Sequence, residues 1–240
     1  MATIKMGSNA TSQLDAGASI LAAARTVDTR LIKPRLAAFE NAHRAYSAAH
    51  DKVHAAEAQL ATAQLHLGEL DADQDAAVTT LAALLIVDGQ PRTNPFAGFG
   101  APAPGKLTAL PVAEEAKTIH QLVTTVQRAK GMSKATLRAA QAADKAARAV
   151  EQALLQMEKL QNAVRDARHT REAVAQTWAN ALAGLKRGAR AAADDGAPML
   201  YATLFDRPHR PNGKPAKSAP APTPNPAPQP APQAAATPAA

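Results

Sequence analysis

The chain has 240 residues, 46% of them apolar but only 3% aromatic, with no cysteine and a formal net charge of +7. This excludes disulfides, thiolate metal sites and cysteine nucleophiles. So few bulky side chains suit a thin helical bundle better than a walled substrate pocket. No charged start followed by an apolar run marks a secretory signal. The longest strongly apolar run, residues 81–87, falls far short of the roughly 20 residues a membrane span requires. A cytoplasmic protein is expected.

In chain order, residues 1–10 read as a disordered leader, and Ser12 with Asp15 resembles a helix-starting capping pair. A helix is expected over 11–87, kinked near Pro34, where the proline removes a backbone donor. Within it Phe39, Tyr46, Val53, Leu60, Leu67 and Leu81 recur on a seven-residue frame, with Gln74 as the polar interruption. Ala42, Ala49, Ala56, Ala63, Leu70, Ala77 and Leu84 follow three places later in each heptad. A strict apolar heptad makes a left-handed coiled coil.

Asp88-Gly89-Gln90-Pro91 stops this helix, and residues 88–110 form the connecting loop. A second helix is expected over 111–195, started by Pro111 and weakened at Gly131. An apolar cap at 197–206 and a disordered Pro/Ala-rich tail at 207–240 complete the chain.

Two helical runs of similar length imply an all-α fold, a long antiparallel two-helix coiled-coil hairpin forming one domain over 11–206. A loop centred near residue 100 sets facing residues to sum to about 199. Ala42 then meets Met157, Tyr46 meets Ala153, Leu60 meets Ala139, and Asp28 meets Arg171 in a polar layer. The same register sets Glu69, Asp71, Asp73 and Asp75 level with Arg128, Lys130 and Lys134. A rival arrangement folds the chain again at Pro34, Gly68 and Gly131. The apolar stripe widens near both ends of the first helix, at Ile20, Leu21, Val27 and Leu31 and at Val78, Leu84, Leu85 and Ile86, so extra packing partners are expected there.

Several clusters are candidates for chemistry or docking. His43, His50 and His54 share one side of the first helix, two of them at the i, i+4 spacing of helical zinc sites. Without a third ligand in view they read as flanking histidines, and no metal or cofactor is expected. Phe96 and Phe99 in the loop, and Tyr201, Leu204 and Phe205 near the base, are the candidate partner-binding residues. No serine elbow, carboxylate pair in a cleft or nucleotide loop is present, so neither an enzyme nor a small-molecule substrate is expected.

The favoured role is a structural or adaptor protein, a rod docking a protein partner or itself through its end clusters. Residues 111–193 hold 14 Lys/Arg against 7 Asp/Glu. A nucleic-acid-binding protein using Arg138, Lys145, Arg148, Arg165, Arg168 and Arg171 is therefore the alternative. A helical protein exported by a specialised secretion system is a third reading.

Overall fold

A computed structural model describes residues 9–206, so the leader up to residue 8 and the tail from 207 lie outside the described residues. The elements are α1 (Ala10–Ala24), a 3-10 turn (Arg30–Ile32), α2 (Lys33–Val87), a second such turn (Ala97–Phe99), α3 (Pro104–Leu107), α4 (Val112–Arg128), α5 (Lys134–Asp194) and α6 (Leu200–Phe205). The 55-residue α2 and the 61-residue α5 pack along one another as an antiparallel hairpin. The heptad residues Phe39, Ala42, Tyr46, Ala49, Val53 and Leu81 are buried, so the seam lies on the face the repeat marks.

The chain breaks where local chemistry is strongest. Helix α1 is capped by Asn9, whose Oδ1 accepts from the Ser12 N–H at 2.8 Å, so the cap stands one turn before the expected Ser12–Asp15 pair. Pro34 does not bend a continuous helix. It occupies the first turn of α2, where a missing N–H leaves nothing unsatisfied, and the chain reverses just before it. Asp28, expected in a core layer, is exposed and accepts from the Arg30 backbone N–H at 3.0 Å and from its guanidinium at 2.6 Å. Arg30 rather than Arg171 satisfies it because the turn holds that partner two residues away. Helix α2 runs unbroken through Gly68.

The second run divides at Gly131, whose φ of +86° is a left-handed conformation that glycine adopts without strain. Ser133 caps α5 by accepting from the Thr136 N–H at 3.2 Å. The Asp88 carboxylate accepts from the Ser133 N–H at 2.9 Å and the Thr136 hydroxyl at 2.6 Å, which ties the end of α2 to the start of α5. These bonds hold the Asp88 carboxyl below its ordinary range.

The hairpin therefore turns over the whole segment 88–133, within which α4 folds back antiparallel to α5. Facing residues are Glu57 with Arg168 and Tyr46 with Trp178, and their numbers sum to about 225, not 199. The slip of about 26 residues is close to seven helical turns, so the same faces meet in a different register. The pairings of Ala42 with Met157 and Leu60 with Ala139 do not form, and Asp71 and Asp75 meet Glu115 in place of the lysines and arginines.

Two separate apolar cores result. The tip core joins Val78, Leu81 and Leu85 of α2 to Leu122 and Val126 of α4 and to Ala140, Ala143 and Ala147 of α5. The base core gathers Ile20 of α1, Phe39 and Tyr46 of α2, Trp178 and Leu185 of α5, and Leu204 and Phe205 of α6. Helix α1 lies tightly there: a Cβ on Gly17 would stand 2.5 Å from His43 Nδ1 and 3.4 Å from the Trp178 ring. Between the cores is a two-helix neck. No residue from 54 to 73 of α2 is buried, and from 151 to 177 of α5 only Val164 is.

Candidate functional site

The heptad geometry that makes the seam also makes a groove beside it. Leu36, Glu40 and His43, then Glu57, Ala61 and Gln64, then Asp71 and Asp75 follow one another at alternating steps along a single stripe of α2. Helix α1 covers the first group: its Leu21 and Ala24 lie by Leu36 and Glu40, and its Gly17 lies against His43. Helix α4 covers the last group through Glu115. The middle group lines an open groove with Leu60, Gln161, Val164, Arg165, Arg168, His169 and Glu172. The groove is bridged by one ion pair, in which Arg168 donates to Glu57 at 2.6 Å. That contact, aided by Arg171, holds the Glu57 carboxyl below its ordinary range.

The tip end of this stripe carries the most unusual electrostatics. Glu115 and Gln74 are almost fully buried, 1% and 0% exposed. Glu115 Oε1, both polar atoms of the Gln74 amide, Asp71 Oδ1 and Asp75 Oδ1 have no hydrogen-bond partner. Burial, reinforced by the charges of Asp75 and Asp71, pushes Glu115 up to about 7, and the nearby Gln74 amide opposes this only in part. Asp71 is also raised, by burial and then by Asp75. On the other flank of α4, the His120 ring stands 2.6 Å from Asp144 and 3.2 Å from Glu151, joining α4 to α5.

The sequence-derived candidates divide by burial. Phe96, Leu204 and Phe205 are 0%, 2% and 1% exposed and belong to the cores. The Phe96 N–H donates to Asn94 Oδ1 at 3.0 Å, which fixes the loop while its ring enters the tip core. Phe99 and Tyr201 are half-buried. Arg190 donates to the Tyr201 hydroxyl at 3.1 Å and stacks 4.8 Å above its ring, while Lys186 lies 5.6 Å above Phe205. His43 accepts from the Trp178 indole N–H at 3.3 Å, and burial lowers its basicity. His50 and His54 bring their Nε2 atoms to 3.0 Å. Among the described residues no group of three or more His, Asp or Glu side chains is arranged to hold a metal ion.

The basic residues of α5 do not form one free surface. Arg148 is paired with Asp144, Arg168 is paired with Glu57, and Arg171 is half-buried. No helix among the described residues is long and apolar enough to cross a membrane. Comparison with protein-family models, curated proteins and solved structures yields no match.

The groove and the buried acid cluster escaped sequence reasoning because both depend on the fold-back of α4. The signal for it was present: Gly131 followed two places later by Ser133 is a helix stop followed by a helix start.

Proposed function

We propose that this protein is a non-enzymatic spacer or adaptor, a rod whose two helical ends engage separate components. The observation that supports this most is the division into two cores joined by a neck in which α2 buries no residue from 54 to 73. Such a build holds two small folded ends apart on continuous helices, and α2 alone spans about 80 Å at 1.5 Å per residue. The open, solvent-lined grooves of the neck suit docking better than chemistry that needs a closed site.

Apolar side chains are left exposed at the ends, as Leu65 and Leu155 are in the neck, and those beside the two cores are the proposed docking points. Val87, 80% exposed, stands at the tip, and Met199 and Leu31, 69% and 55% exposed, belong to the base. With Phe96, Leu204 and Phe205 consumed by the cores, these three residues together with Phe99 and Tyr201 are the proposed contact points. Nucleic-acid binding has weaker support, since of the six basic candidates only Arg138, Lys145 and Arg165 are exposed and free of an ion pair.

Photo-crosslinking side chains placed singly at Val87 and at Met199 test the reading in the cells of origin. Two different sets of neighbours are expected from the two positions. Identical neighbours from both, or none from either, would overturn it.

A further inference from the structure

We propose that α4 is a pH-operated arm, closed over the tip core while protons sit on both of its flanks and lifting from its N-terminal end as rising pH removes them. This goes beyond the spacer reading and holds whether or not the ends engage partners.

The polar contacts that α4 makes on its two flanks each need a proton. On the α2 flank the Glu115 carboxyl is buried beside Asp75, with Asp71 and the Gln74 amide around it. Glu115 Oε1, Asp71 Oδ1, Asp75 Oδ1 and both polar atoms of Gln74 have no hydrogen-bond partner. The charges that act on Glu115, those of Asp75 and Asp71, are both negative. Adjoining carboxyls out of water accommodate a proton between them far better than two full charges. Glu114 and Lys117, the charged neighbours on α4 itself, are exposed.

On the α5 flank, His120 turns Nδ1 to Asp144 at 2.6 Å and Nε2 to Glu151 at 3.2 Å. Only the imidazolium carries a proton on each nitrogen to face two carboxylates. Burial of Asp144 opposes its ionisation, but the bonds from His120 and Arg148 outweigh it and hold the carboxyl below its ordinary range. The 3-10 turn Ala97–Phe99, which also packs on α4, brings no titratable side chain.

The joints of α4 suit an arm. Its tip end meets α5 through Gly131, and Asp88 fixes the residues just beyond, Ser133 and Thr136, to the end of α2. Its other end starts at Pro111, with Glu115 in the first turn and His120 little more than a turn further on. Beyond them Leu122, Val123 and Val126 are buried in the tip core, held by apolar contact that titration does not touch. Loss of the protons therefore lifts the turns from Val112 to His120 and leaves the tip end seated. Once lifted, Glu115 is a solvated carboxylate at the start of a helix, where the dipole favours its charge.

The test is hydrogen exchange by mass spectrometry on the full chain from pH 5 to pH 8, corrected for the intrinsic chemical rate. With Glu115 at about 7 when closed and an ordinary 4.5 when lifted, the opening constant over residues 115–120 is expected to rise at least about tenfold. Amides of α5 over 140–147, in the same core, should change less than about threefold. Glu115→Gln, which keeps the shape of the protonated acid, should remove most of the rise. His120→Gln should raise exchange over 115–120 already at pH 5, because the clamp on the α5 flank is gone. Circular dichroism checks that both variants remain helical. No rise with pH, an equal rise over 140–147, or an undiminished rise in Glu115→Gln would overturn the proposal. Unchanged exchange of His120→Gln at pH 5 would overturn the clamp on the second flank.

Discussion

The ends and the neck of this rod are made from the same two helices, yet only the ends have cores. At the tip α4 completes a three-helix cluster around Val78, Leu81 and Leu85, and at the base α1 and α6 enclose Trp178 and Phe39. In the neck the heptad continues through Leu60, Ala63 and Leu67, but each of these remains only partly buried. An Ala-rich two-helix seam brings the backbones together without enclosing its larger residues. Enclosure, and with it most of the apolar stabilisation, comes from the third helix.

The largest effect should come from the base. Trp178 is 2% exposed and packs against Phe39 and Tyr46 with ring centroids 5.8 and 5.7 Å away. Trp178→Ala is expected to cost roughly 3–5 kcal/mol, read by chemical denaturation. A loss below about 1 kcal/mol would show that the base is not a separate aromatic core.

The tip and the base should respond to pH with opposite signs: burial lowers the basicity of His43 in the base, so its contribution is lost on acidification, whereas the tip loses stability as pH rises. Glu115 has an ordinary value of 4.5 and stands at about 7 in the folded chain, so the folded state holds its proton more tightly than the unfolded state. Below about 4.5 both states are protonated and this group exerts no penalty. Stability then falls as pH rises from about 4.5 to about 7, by roughly 3 kcal/mol in all, and levels off above that. Glu57, Asp88 and Asp144 are shifted down, so their contributions are present at neutral pH and lost only on acidification through their low folded values. Glu115→Gln is expected to flatten the fall between pH 5 and pH 7, measured by thermal melts across that range. An unchanged slope would contradict the buried acid cluster.

The neck should be the most tolerant region. Arg168→Ala removes an ion pair whose partners are 55% and 37% exposed and is expected to cost less than about 1 kcal/mol. A loss comparable to that of Trp178→Ala would erase the distinction between ends and neck.

The seam, the antiparallel pairing and the widened ends were legible because each follows from local periodicity. Phe39, Tyr46 and Val53 point to the same face whatever partner they meet. The register was not legible because it depends on chain reversals. Reading Gly131 as a weak point inside one helix placed the turn near residue 100, and a slip of about seven helical turns kept the same faces opposed, which made the wrong pairing self-consistent. Pro34 misled in the opposite way: its position fits a helix start as well as a kink, and the choice rests on how α1 packs against His43 and Tyr46. The acid cluster follows from the same fold-back, since only α4 brings Glu115 to Asp71 and Asp75.

The difference between ends and neck is tested most directly by native-state hydrogen exchange resolved along α2. The account predicts strong protection over residues 36–53 and 74–85, with the fastest exchange of the helix over 54–70. Uniform protection from Lys33 to Val87 would contradict it, because the neck would then be as firmly held as the ends.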